Sequence, residues 1–98
     1  MKLKKLGNTD LKVSLICLGT MTWGKQNNQE EAFEQMDYSM SQGINFFDTA
    51  EIYAVPSTEE TFGKTEKIIG NWFIERNRFN GGLSGIRTQD PSLKRRLL

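Results

Sequence analysis

Apolar positions fall along this chain in several rhythms, each predicting a different element. Leu3 and Leu6 alternate weakly with Lys2, Lys4 and Lys5, and Leu11-Lys12-Val13 resumes the alternation after Gly7-Asn8-Thr9-Asp10. Alternation on both sides of turn residues predicts a small hairpin. Leu15-Ile16-Cys17-Leu18 is an unbroken apolar run, the mark of a strand buried on both faces. It ends in Gly19-Thr20-Met21-Thr22-Trp23-Gly24, where two glycines would let backbone approach a ligand and an exposed Trp23 could wall a pocket.

From Lys25 to Asn28 the chain is a polar loop. Asn28 and Glu31 have the spacing of a capping box, and Glu30 and Glu31 favour the positive end of a helix. Ala32, Phe33, Met36 and Met40 then recur at helical spacing until Gly43, so a helix is expected over about 29–42. Its methionines belong to a core-facing stripe, not to a ligand set. Gly43 to Phe47 is a short aromatic-rich strand that releases Asp48 at its end, with Tyr53 five residues on. A polar loop containing Pro56 follows, then a second helix from about Thr65 with Ile68, Ile69, Trp72 and Phe73 on one face.

Strand, helix and strand within some thirty residues form a βαβ unit, hence parallel strands and a right-handed crossover. Ligands in such folds sit beyond the carboxyl ends of the strands. Those ends are Gly19–Gly24 and Asp48–Tyr53, so both stretches are expected on one rim. A carboxylate and a phenol leaving a strand are candidates for acid/base work. By chemistry alone the plainer reading, an acidic strand end and a surface tyrosine, fits as well. Gly63-Lys64-Thr65 invites a phosphate-loop reading, but that pattern needs a glycine where Thr58 stands, and a preceding strand.

Composition narrows the class. Ninety-eight residues make one small domain, and 37% hydrophobic with 26% charged residues is a globular balance. A net charge of +1 favours neither nucleic acid nor a membrane surface as partner. The charge is uneven: residues 1–78 carry 9 Lys/Arg against 11 Asp/Glu, and residues 79–98 carry 4 against 1. Cys17 is the single cysteine and sits in an apolar run, so a buried free thiol in a reducing cytoplasm is expected. There is no run of about 18 apolar residues to span a membrane, and the basic N-terminus lacks the apolar core of a signal peptide. Past Arg78, Asn80-Gly81-Gly82-Leu83-Ser84-Gly85 is flexible in composition, Asp90-Pro91 is a breaker, and Lys94-Arg95-Arg96 is basic. Three basic residues without interleaved aromatics fit a solvated tail better than a nucleic-acid contact.

Residues 1 to about 77 resemble the start of an aldo-keto reductase of the bacterial Tas-like, NADP-dependent group. The resemblance is carried by Leu6-Gly7-Asn8-Thr9-Asp10-Leu11-Lys12-Val13-Ser14, Leu18-Gly19-Thr20-Met21-Thr22-Trp23-Gly24, Gly43 to Tyr53, and Thr65-Glu66-Lys67-Ile68-Ile69-Gly70-Asn71-Trp72. It implies an α/β fold, the N-terminal portion of a (β/α)8 TIM barrel: a hairpin cap, then β-α-β-α, followed by an irregular tail. It implies hydride transfer from NADP(H) to an aldehyde or ketone, a small-molecule carbonyl substrate. Tyr53 would be the acid, Asp48 would hold a lysine from the end of the third strand, and a histidine from the fourth would orient the carbonyl. A free tyrosine has a pKa of about 10, so that nearby cation matters. Gly19, Thr20, Met21 and Asp48 would face the cofactor, and Trp23 would border the substrate.

The departures are as specific as the matches. The chain contains no histidine, and the third-strand lysine would fall in the part past residue 78 that departs from the family. The barrel needs roughly 250 residues. We therefore expect residues 1–77 to be a partial barrel and 78–98 a disordered non-family tail. The chain alone would be inactive and of marginal stability, able to self-associate through an open strand edge. An alternative is an interaction fragment that docks with a full-length reductase. A third reading, a basic-tailed nucleic-acid binder, would require salt-sensitive binding lost with residues 79–98.

Overall fold

The computed structural model describes residues 1–76 and 85–87. Strand β1 (Leu3–Lys5) pairs antiparallel with β2 (Lys12–Ser14), Leu3 opposite Ser14 and Lys5 opposite Lys12. Gly7 closes the turn at φ 58°, a left-handed value that suits glycine. Strand β3 (Leu18–Gly19), helix α1 (Gln29–Ser41), strand β4 (Phe46–Asp48) and helix α2 (Lys64–Arg76) follow, then strand β5 (Gly85–Arg87). The second sheet has the order β3-β4-β5 and both pairings are parallel.

Helix α1 begins where the capping box puts it. The Asn28 side chain accepts from the Glu31 N–H at 2.9 Å, and the Asn28 N–H donates to Glu31 Oε1 at 3.0 Å. Gly43, at φ 84°, turns the chain out of the helix toward β4. The apolar stripe of α1 (Ala32, Phe33, Met36) and that of α2 (Ile68, Ile69, Trp72, Phe73) close with Phe47 and Trp23 into one core. Trp72 lies at its centre, 5.9 Å from Phe47 and 5.4 Å from Phe73 between ring centroids. Its indole N–H donates to Asp37 Oδ1 at 2.9 Å, so the buried ring keeps its polar atom satisfied.

Asn45 ties the hairpin to the parallel sheet. It accepts the Ser14 N–H at 2.8 Å through Oδ1 and donates through Nδ2 to Lys12 O at 3.2 Å. Its own N–H donates to the Ser14 hydroxyl at 3.2 Å.

Four expectations need correcting. The apolar run Leu15–Leu18 is not a strand buried on both faces: β3 is only Leu18–Gly19, Leu15 is 61% and Ile16 53% exposed, and the chain bends at both. A doubly buried strand needs cover on both faces, and the exposed Leu15 and Ile16 side chains lack it. Cys17 is accordingly exposed rather than buried. Trp23 is 1% exposed and belongs to the core, not to an open loop. The sequence pattern also implied two parallel strands where the structure has a third, β5. The Asn80–Ser84 stretch, Asp90-Pro91 and Lys94-Arg95-Arg96 lie outside the described residues.

Candidate functional site

The carboxyl ends of β3 and β4 meet, as a βαβ unit requires. Thr20 is buried, and its hydroxyl donates to the Asp48 carbonyl at 2.8 Å, joining the residue after β3 to the last residue of β4. A second joint, in the backbone, ties the residue after Thr20 to the far part of the second loop, with the Val55 N–H donating to Met21 O at 2.8 Å. Gly19–Gly24 and Asp48–Tyr53 therefore form one continuous rim.

On that rim the side chains divide by exposure. Gly19 is exposed and a Cβ built there would meet nothing within 4 Å, so its surface is open to a ligand. Met21 is exposed, and Asp48 and Tyr53 are half-buried. The Thr20 side chain faces inward and is occupied by its bond to Asp48. Trp23 lies beneath the rim: its indole N–H donates to Gln35 Oε1 at 3.0 Å, and its carbonyl accepts the Thr65 hydroxyl at 2.6 Å. The structure thus brings Gly19, Thr20, Met21 and Asp48 together, places Tyr53 two residues before the Val55 anchor on Met21, and sets Trp23 in the packing beneath. Strand β5 runs beside β4, and its last residue, Arg87, is the register partner of Asp48.

The segment after Tyr53 is folded as tightly as the strands. Tyr53 N–H donates to Ala50 O at 3.1 Å and Ala54 N–H to Thr61 O at 3.0 Å. Sequence reasoning passed over 54–64 as a polar loop. The signal was the Thr58-x-x-Thr61 spacing behind Pro56, where hydroxyls can replace backbone partners in a turn. A separate open groove of about 520 Å³ lies between the helices, lined by Lys25, Lys64, Lys67, Asn27, Gln29 and Asn71 among others. Of the rim residues only Gly24, at its far end, lines it; Gly19, Thr20, Met21, Asp48 and Tyr53 do not. Among the described residues no helix is long and apolar enough to cross a membrane.

The sequence profile of the Aldo/keto reductase family matches residues 15–82. The chain is 47% identical over 92 residues to Protein tas of Escherichia coli (strain K12), covering 94% of this chain and 27% of that protein. It is 47% identical over 70 residues to the uncharacterized oxidoreductase YrpG of Bacillus subtilis (strain 168), covering 71% and 21%. An uncharacterized 11.2 kDa protein of Pseudescherichia vulneris is 30% identical over 73 residues, which are 74% of this chain and 71% of that one. Among solved structures, the thermostable aldo-keto reductase Tm1743, crystallised with the inhibitor epalrestat, superposes with a TM-score of 0.67. That match has 28% identity and covers 90% of this chain and 30% of Tm1743. The chain spans about a quarter of the length of Protein tas and a fifth of YrpG. It matches the barrel's opening β-α-β-α segment and carries the family profile over more than half its residues, and so the chain belongs to the Aldo/keto reductase family.

Proposed function

We propose that residues 1–76 form part of the active-site rim of an NADP(H)-dependent carbonyl reductase. The observation that carries this reading is the pair of bonds Thr20–Asp48 and Met21–Val55, which hold the ends of both strands on one open rim. Gly19 and Met21 offer exposed surface there, and Asp48 a half-exposed carboxylate, so these residues would hold the cofactor. When bound, the reduced cofactor supplies the hydride. Tyr53 donates its phenolic proton to the oxygen of an aldehyde or ketone, and Asp48 holds a cation near that phenol. Trp23 supports the rim from below and borders the substrate only through the backbone it positions.

The 98-residue chain alone does not turn over on this reading, because no histidine is present to orient the carbonyl. We place it in the cytoplasm and divide it near residue 77. That division rests on where the quoted motifs end and on the change of composition and charge past residue 78, whereas the family profile runs to residue 82 and the alignment with Protein tas spans 92 residues. Limited proteolysis checks it: cleavage confined to 78–98 supports the boundary, and uniform protection removes it. Docking onto a full-length reductase is a second reading, favoured by the edge of β3 that no strand among the described residues pairs with. Co-purification with such an enzyme tests it.

The direct test of the chemistry is a chimera in which residues 1–76 replace the matching segment of Protein tas. The chimera is expected to oxidise NADPH when given an aldehyde. Tyr53→Phe should lower that rate by about 10²-fold or more, the usual range for a lost general acid. A chimera equally active with phenylalanine at 53 would remove Tyr53 from the chemistry.

A further inference from the structure

We infer that Thr61 is a positioning residue for Tyr53, an inference that rests on the role proposed above for that phenol. Three consecutive backbone N–H groups around Tyr53 are anchored on three different segments. Tyr53 donates to Ala50 O, Ala54 to Thr61 O and Val55 to Met21 O, at 3.1, 3.0 and 2.8 Å. The first anchor lies within the same turn and the third lies on the β3 rim. The middle one reaches across the loop to Thr61, which is 4% exposed.

Thr61 is itself fixed by its side chain. Its hydroxyl donates to Pro56 O at 2.8 Å and accepts the Thr58 N–H at 2.8 Å. With that proton committed to Pro56, the 3.2 Å contact between the two threonine hydroxyls has Thr58 as donor. The Thr61 N–H returns to Thr58 Oγ1 at 3.2 Å. The Thr61 carbonyl accepts twice, from Ala54 and from Lys64 N–H at 3.1 Å, the first residue of α2. One buried residue thus joins the start of a core helix to the peptide that follows Tyr53. A phenol carried on a loop is held as firmly as a strand-borne group only where its backbone is tied down in this way.

The test uses the full chain with Thr61→Val, which keeps the shape and removes the hydroxyl, and Thr61→Ser, which restores it. The chain has two tyrosines. Tyr38, on α1 and 68% exposed, serves as the internal control for Tyr53. Tyrosine ring resonances are recorded by NMR together with amide exchange at Ala54. The expected result is displaced Tyr53 resonances and lost Ala54 protection in Thr61→Val, with Tyr38 unmoved and both effects reversed in Thr61→Ser. An unmoved Tyr53, equal displacement in the serine variant, or both tyrosines moving together would overturn the inference. The chimera assay reports separately on the chemistry: if Tyr53→Phe leaves it active while Thr61 still governs the Tyr53 resonances, the proposed function fails and the positioning stands.

Discussion

Thr20 joins the two halves of the rim through one hydroxyl, and its burial makes that bond matter. A net hydrogen bond is worth about 1 kcal/mol, but a buried acceptor left without a donor costs about 1–3 kcal/mol. Thr20→Val keeps the shape and removes the donor to the Asp48 carbonyl, so urea unfolding should show a loss of about 1–2 kcal/mol. An unchanged midpoint would mean that the backbone bond from Val55 to Met21 suffices to hold the rim. In the sequence Thr20 was one polar letter in a glycine-rich stretch, and only its place after an apolar run marked it. Trp23 misled for the same reason. A tryptophan after a strand end is compatible with a pocket wall, and nothing local says that α2 will pack a threonine hydroxyl against its carbonyl.

At the scale of elements, the helices were legible because each carries its own punctuation. Asn28, Glu31 and Gly43 bound α1, and the apolar stripe between them fixes its inward face. Asn28→Ala removes one side of the capping box and should lower stability by about 1 kcal/mol, read from the denaturation midpoint followed by circular dichroism. Trp72→Ala should be far worse. It empties the centre of the shared core and leaves Asp37 without its indole donor, for a loss of about 3–5 kcal/mol. In so small a domain that loss should appear as unfolding at room temperature, and a cooperative thermal transition in this variant would mean the core closes without Trp72. Arg76 also reaches Asp37, at 2.9 Å, and stacks 5.3 Å from the centre of the Phe33 ring. The hydrogen bond to Asp37 raises the guanidinium pKa above its ordinary value. A raised folded-state pKa means that the guanidinium's part of this contribution is complete at neutral pH and is lost as pH rises into strong alkali. The strands were less legible. Burial on both faces is a property of neighbours, so Leu15 to Leu18 could not announce which of them would be covered. The three residues of β5 hold a single apolar letter, Ile86, too few to show any period.

The whole molecule shows a sheet whose order is set by β4, with β3 at one edge. Among the described residues nothing pairs with the far side of β3, and Leu15 and Ile16 stand exposed just before it. Unpaired backbone groups beside uncovered apolar side chains form a template for another strand, and natural edges are blunted by charge, bulges or cover. Here the neighbours Ser14 to Leu18 include no charged residue. A second copy of the chain, presenting the same edge, meets both requirements at once. The expected behaviour is concentration-dependent association, seen as a rising weight-average mass in sedimentation equilibrium. Ile16→Lys places a charge on the exposed approach to the edge without touching the core, since that side chain is already half in solvent. It should return the chain to a monomer with its circular dichroism unchanged. If the lysine variant associates as strongly as the parent, the β3 edge is not the contact, and the exposed residues of the hairpin, Leu3, Leu6 and Leu11, become the surface to change next.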